Sequence, residues 1–174
     1  MAKGLVILTG GPGTGKTSIL NELKKDGYSC LAEMARKVIS ENTNKDITNW
    51  VKTHDFNETV FNQMFARHNQ VNNHLAITDR SLIDTIAYMN LFQLEIPELM
   101  LDRIERVNYQ KKAFLAPLWD EIYANDKERL ENKEEALRIE KSIKETYKEF
   151  GFNLIEIPKL SVAERTNWLK NEIK

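Results

Sequence analysis

A single cysteine, Cys30, stands in a chain of 174 residues. One thiol makes no internal disulfide framework and no thiolate metal cluster, so a reducing cytoplasm is the expected setting. An excess of either charge is also missing: 25 basic residues face 26 acidic ones, which gives no global steering toward nucleic acid or membrane. No basic stripe is interleaved with aromatics, so nucleic-acid processing is not expected. No apolar run approaches the ~20 residues of a membrane span. Met1 to Leu8 is too short for a signal h-region and lacks a small-residue cleavage site, so it reads as the first strand. Repeats and low-complexity linkers are absent as well, and residues 1–174 suit one domain that buries roughly 70% of its extended-chain surface. Glycine is scarce, seven in all, yet Gly10, Gly11, Gly13 and Gly15 crowd into one turn.

That turn is GGPGTGKT, Gly10 to Thr17, followed by Ser18. Gly10, Gly15, Lys16 and Thr17 occupy the four fixed places of the P-loop pattern. A polyphosphate must be wrapped by backbone N–H groups, and glycine lets the backbone come close. The expected nucleotide-binding residues are Gly11, Pro12, Gly13, Thr14, Gly15, Lys16, Thr17 and Ser18. A helix starting near Lys16 turns its positive end toward the phosphates, Lys16 reaches the β- and γ-phosphates, and Thr17 offers a hydroxyl to Mg²⁺. The context agrees: Leu5 to Leu8 is an apolar run suited to a buried strand, and Ile19, Leu20 and Leu23 recur at helical spacing before Gly27. The chain is expected to bind a nucleoside triphosphate.

Downstream, strands alternate with helices. Tyr28 to Glu33 reads as a second strand, Met34 to Ser40 as a helix, and Asn42 to Asn49 as polar and turn-rich. Val60, Phe61, Met64, Phe65 and Val71 predict a long helix over Phe56 to Leu75, where the third strand starts. Helices follow over Leu82 to Phe92 and from Pro97 through Val107, then a fourth strand over Lys112 to Ala116. Glu134 to Phe150 predicts a helix with a solvated charged face, and Asn153 to Ile157 the fifth strand. Ser161 and Glu164 form a capping-box pattern for the last helix, with Trp168, Leu169 and Ile173 inward. Such alternation implies an α/β parallel sheet with helices on both faces and ligands at the carboxyl ends of its strands.

Two strand ends carry further candidates. Asp79 could hold Mg²⁺ through water beside Thr17 or orient the attacking hydroxyl, and Arg80 could bind an anionic or ribose-bearing substrate; the plain alternative is a pair that closes the strand. Glu33 could take the proton of a substrate hydroxyl and Arg36 could clamp a charged group, unless the two form only a surface ion pair. Ser81 and Asp84 have the spacing of a helix cap. His68 reads as a packed or cleft-wall histidine, His54 and His74 as loop or helix-end residues, and Trp119 as a pocket wall or simple packing. The charged stretch Leu118 to Lys133 is the candidate lid, with Lys127, Arg129 or Lys133 bringing charge to the γ-phosphate. A solvated face is its alternative, and Arg129 is favoured for its phosphate-matching fork.

Carried by TGGPGTGKT, AEMAR, TDRSLIDTIAYMNL and KAFLAPLWDEIYANDKER, the chain resembles small P-loop kinases over nearly its whole length. It is similar to the family joining the ribosylnicotinamide kinase domain of a bacterial NAD regulator with AAA-family ATPases, and to thymidylate-kinase-like proteins. The resemblance implies a three-layer P-loop NTPase fold with a five-stranded sheet of order 2-3-1-4-5 and a helical lid. It also implies ATP and Mg²⁺ as cofactors, Asp79 near the metal, Glu33 and Arg80 near the acceptor, and Arg129 in the lid. The family commonly has glycine in the place of Ser81 and more lid arginines than this one. No ring-forming motor is expected, for want of room for a separate helical lid domain.

The expected activity is ATP-dependent transfer of the γ-phosphoryl group to a small acceptor such as a nucleoside or nucleotide. Lys16 and Arg129 would stabilise the moving charge, Thr17 and Asp79 would hold metal, and Glu33 would be the base. The rival is a slow ATPase acting as a nucleotide-dependent switch or partner-binding protein. A GTPase is disfavoured because no glycine occupies the DxxG place after Asp79, and a transporter-type ATPase because its signature is absent.

Overall fold

The computed structural model describes residues 3–42, 46–71, 74–119 and 132–173. Its strands are β1 (Gly4–Thr9), β2 (Cys30–Leu31), β3 (Leu75–Asp79), β4 (Tyr109–Leu115) and β5 (Asn153–Glu156). The helices among the described residues are α1 (Lys16–Lys25), α2 (Met34–Ser40), α3 (Ile47–Trp50) and α4 (His54–His68). They continue with α5 (Leu82–Leu91), α6 (Glu98–Arg106), α7 (Lys133–Glu149) and α8 (Val162–Glu172).

The strands form one parallel sheet in the order β2-β3-β1-β4-β5, as expected. β1 lies at its centre, and every one of its residues is buried. Alternate side chains of a strand point to opposite faces, so β1 feeds two cores. Leu5 and Ile7 join the larger core with Val38, Phe61, Met64, Ile86 and Ile143, contributed by α2, α4, α5 and α7. Val6 and Leu8 join the smaller core with Ile19 and Leu23 of α1 and Leu169 of α8. Each such Leu or Ile contributes roughly 1.5–3 kcal/mol relative to exposure. The result is three layers with the phosphate loop pinned at the middle of the sheet.

Several boundaries differ from expectation. β2 has only two residues, because Glu33 leaves the sheet to become the N-cap of α2. The polar stretch after Asn42 contains the short helix α3, held by Trp50 packing edge-on against Phe56 at 5.0 Å. α4 stops at His68 instead of running to Leu75; its start is set by Thr53, whose Oγ1 accepts from Phe56 N at 3.3 Å. Pro97 caps α6 from outside instead of sitting in its first turn. On α7 the charged face is solvated except at Glu140, which is 8% exposed and accepts from the Leu118 amide at 2.7 Å. The centre of the candidate lid, 120–131, lies outside the described residues, and with it Lys127 and Arg129.

Candidate active site

The loop after β1 takes the shape that its glycines permit. Gly13 and Gly15 have φ of 69° and 81°, in the left-handed region, and Gly10 stands at 140°. A Cβ at Gly10 would lie 2.3 Å from the Ala116 carbonyl oxygen, so no side chain fits there. Gly15 is the N-cap of α1 and carries no side chain to satisfy the first amides of that helix, which leaves them suited to an anion. Pro12, Gly13, Thr14, Gly15, Lys16, Thr17 and Ser18 all line one cavity of about 860 Å³; Gly11, the remaining expected member, is buried behind them.

Lys16 is 5% exposed and donates to the carbonyls of Gly10 at 3.0 Å and Gly11 at 2.7 Å. Burial and the nearby Arg80 draw its ammonium down to about 8, against opposing pulls from Asp79, Glu33 and Asp84. Asp79 lies beyond Lys16 at the end of β3, 2% exposed. Burial raises its carboxyl to about 6, although Lys16 and Arg80 oppose that rise. Its Oδ1 has no hydrogen-bond partner among the described residues.

That unsatisfied oxygen and the exposed Thr17 on the first turn of α1 are oxygen donors of the kind that a hard cation takes; Thr17 lines the cavity and Asp79 does not. Burial of this carboxylate, which Lys16 and Arg80 only partly offset, also costs stability. Asp79→Asn should therefore melt at a higher temperature than wild type at pH 7. Because the folded carboxyl titrates near 6, above the unfolded value, the wild-type penalty is absent below about pH 4 and complete above about pH 6. The gap between the two melting temperatures should thus close as pH falls from 7 to 4; a gap that does not change with pH would exclude this origin.

Facing the phosphate loop, Arg80 adopts a φ of 67°, a strained value for a non-glycine residue. The contacts holding it are specific. Its Nε donates to Glu33 Oε1 at 2.9 Å, its Nη1 stands 3.6 Å from Asp84 Oδ1, and its guanidinium lies 5.4 Å from the Tyr88 ring centroid. Nη1 itself has no hydrogen-bond partner among the described residues. Burial opposes the Arg80 charge, but Tyr88, Glu33 and Asp84 outweigh it and keep the guanidinium charged. Burial would raise the Glu33 carboxyl, yet Arg80, Lys16 and Arg36 together hold it below the usual range. Arg36 pairs with Glu33 at 3.3 Å from an exposed position, so the expected ion pair forms and reaches the cavity as well.

Ser81 and Asp84 form the capping box of α5, as their spacing predicts. Asp84 does more than cap. It is 1% exposed, accepts from Ser81 N at 2.7 Å and Tyr147 Oη at 2.6 Å, and also accepts from Thr9 Oγ1. The capping pattern alone does not bring Asp84 to Arg80 or to Tyr147. His68 is neutral, drawn to about 3 by burial and Arg67, and is bonded between Tyr109 Oη at 2.7 Å and Thr78 Oγ1 at 2.9 Å. It is a packed residue. Past Glu33 and Arg80 the cavity is walled mainly by Val51, Phe56, Val60, Met64, Tyr88 and Phe92, an apolar chamber.

A glycine-cradled loop between the central strand and α1, with acids and an arginine at the neighbouring strand ends, defines a P-loop NTPase fold. The AAA domain family matches residues 5–165, and the chain belongs to it. No curated protein matches the chain. Solved structures do. Deoxyadenosine kinase from M. mycoides, with products dCMP and dCDP bound, aligns at TM-score 0.71 and 18% identity over 97% of this chain and 98% of that one. NadR in complex with NR aligns at 0.75 and 15% identity, covering 98% of this chain and 50% of that one. Thymidylate kinase from Candida albicans aligns at 0.60 and 11% identity, covering 98% and 91%. No helix among the described residues is long and apolar enough to cross a membrane.

Proposed function

We propose that this protein is a Mg²⁺-dependent kinase that moves the γ-phosphoryl group of ATP to a small acceptor of the nucleoside or nucleotide class. The observation that carries this reading is the continuity of one cavity, which joins the phosphate loop to the Glu33 and Arg80 pair and then to the apolar chamber. A hydrolase needs no such chamber, whereas a transferase must seat a second substrate in line with the γ-phosphate. The names of the similar structures, kinases of nucleosides and nucleotides among them, point the same way.

In this reading the loop amides and Lys16 bind the β- and γ-phosphates, and Arg80 orients the acceptor. For a hydroxyl acceptor, its oxygen forms the new bond to the γ-phosphorus as the bond from that phosphorus to the bridging oxygen breaks. ADP leaves, and the hydroxyl proton passes to Glu33. Thr17 and Asp79 would hold the metal, which when bound supplies neutralising charge at the phosphate oxygens. Arg129 would add charge from the lid.

ADP release from Mg-ATP, measured with nucleosides, nucleoside monophosphates and ribosylnicotinamide, tests the proposal. One acceptor should stimulate release at least about tenfold and gain a phosphoryl group by mass. A slow rate indifferent to every acceptor would favour the ATPase switch instead.

A further inference from the structure

Arg165 is a buried cation that the reaction just described does not use. The capping box of Ser161 and Glu164 fixes the first turn of α8, and Arg165 is the next residue on that turn, directed at the phosphate loop. It is 2% exposed and lines the cavity. Its Nη1 donates to the Thr14 carbonyl at 3.0 Å. Its Nη2 would lie 2.8 Å from a Cβ at Gly15. The indole of Trp119 covers it, with the guanidinium carbon 5.0 Å from the ring centroid. The guanidinium is thus held between the loop and Trp119, which gives the packing role expected of that tryptophan a definite partner.

No carboxylate among the described residues forms an ion pair with Arg165, and its Nε has no hydrogen-bond partner there. The adjacent Glu164 is turned to solvent and bonded to Ser161 Oγ at 2.6 Å. Burial alone shifts the guanidinium, downward, with no acid to offset it. A buried charge left so incompletely compensated is costly unless a ligand supplies the missing charge.

We propose that Arg165 is a nucleotide-binding residue of the phosphate loop: it locks Thr14 and Gly15 in their receptive shape, and the triphosphate supplies its missing counter-charge. The inference rests on the nucleotide-binding half of the function above and not on the identity of the acceptor.

Calorimetric titration with the magnesium complex of a non-hydrolysable ATP analogue tests it on wild type, Arg165→Gln and Arg165→Lys, each checked by thermal melting. Gln keeps a polar amide but is shorter and drops the charge; Lys keeps the charge and loses the fork. Arg165→Gln should bind about 10-fold to 30-fold more weakly, and Arg165→Lys only about threefold. Affinity of Arg165→Gln within about twofold of wild type, or equal losses in both variants, would overturn the proposal. Wild-type binding without acceptor-stimulated turnover would sink the kinase reading alone, whereas no binding by wild type would remove both.

Discussion

Replacing Lys16 by Ala is expected to lower phosphoryl transfer by about a hundredfold to a thousandfold or more, with the chain still folded. The activity loss follows from position: Lys16 is the cation rooted in the phosphate loop itself, and its Nζ now rests on the Gly10 and Gly11 carbonyls. The persistence of the fold follows from energetics. Folding draws the Lys16 ammonium from 10.5 to about 8, which corresponds to about 3 kcal/mol of unfavourable burial of the charged form. Both states are protonated below pH 8, so the cost is fully present there; it is relieved as pH rises from 8 toward 10.5. Ala removes that cost along with three hydrogen bonds, and the melting temperature at pH 7 should not fall. Transfer within about tenfold of wild type would take Lys16 out of the mechanism. A collapsed melting temperature would instead show that the loop needs the lysine as a strut.

Glu33→Gln should cut kcat by about 10²-fold to 10⁴-fold while leaving the affinity for ATP close to wild type. Glu33 lines the cavity between the phosphate loop and the apolar residues beyond it, where Arg80 and Arg36 keep it ionised. A carboxylate held below its usual range stays ionised in mild acid and is ready to take the proton at neutral pH. Gln preserves the shape and can still accept from Arg80, but it removes an anion paired with that buried guanidinium, so the variant should also melt at a lower temperature than wild type. Measuring kcat and the nucleotide dissociation constant on one preparation separates the two effects. If kcat stays within about threefold of wild type, Glu33 serves only to hold Arg80, and the proton leaves by another path.

Much of this site could be read in the sequence because its parts are local. Glycine crowding and the residues that follow it fix a phosphate loop within nine positions, Gly10 to Ser18, and strand ends are visible as apolar runs meeting Glu33 or Asp79. Long-range contacts are less legible. Nothing in the local pattern distinguishes the Arg165 side chain from a solvent-facing helical arginine, since its burial is decided by Trp119 and Thr14, far away in the chain. Tyr147 matches an apolar stripe as well as it matches a partner of Asp84, and only the packing of α7 on α5 brings their oxygens together. The shortness of β2 is likewise a tertiary outcome: Glu33 is drawn out of the sheet toward Arg80, which a propensity for strand over Tyr28 to Glu33 does not register. The strand order came from the family resemblance, because alternation alone fits several orders.

The hydrogen bond from Arg165 to Thr14 spans 151 residues of chain. During synthesis at 5–20 residues per second, the loop waits roughly 8–30 s for its clasp. Until then a nascent chain carries the whole GGPGTGKT signature without the contact that braces its backbone. The nucleotide pocket is therefore completed late, 151 residues of chain after its motif is made.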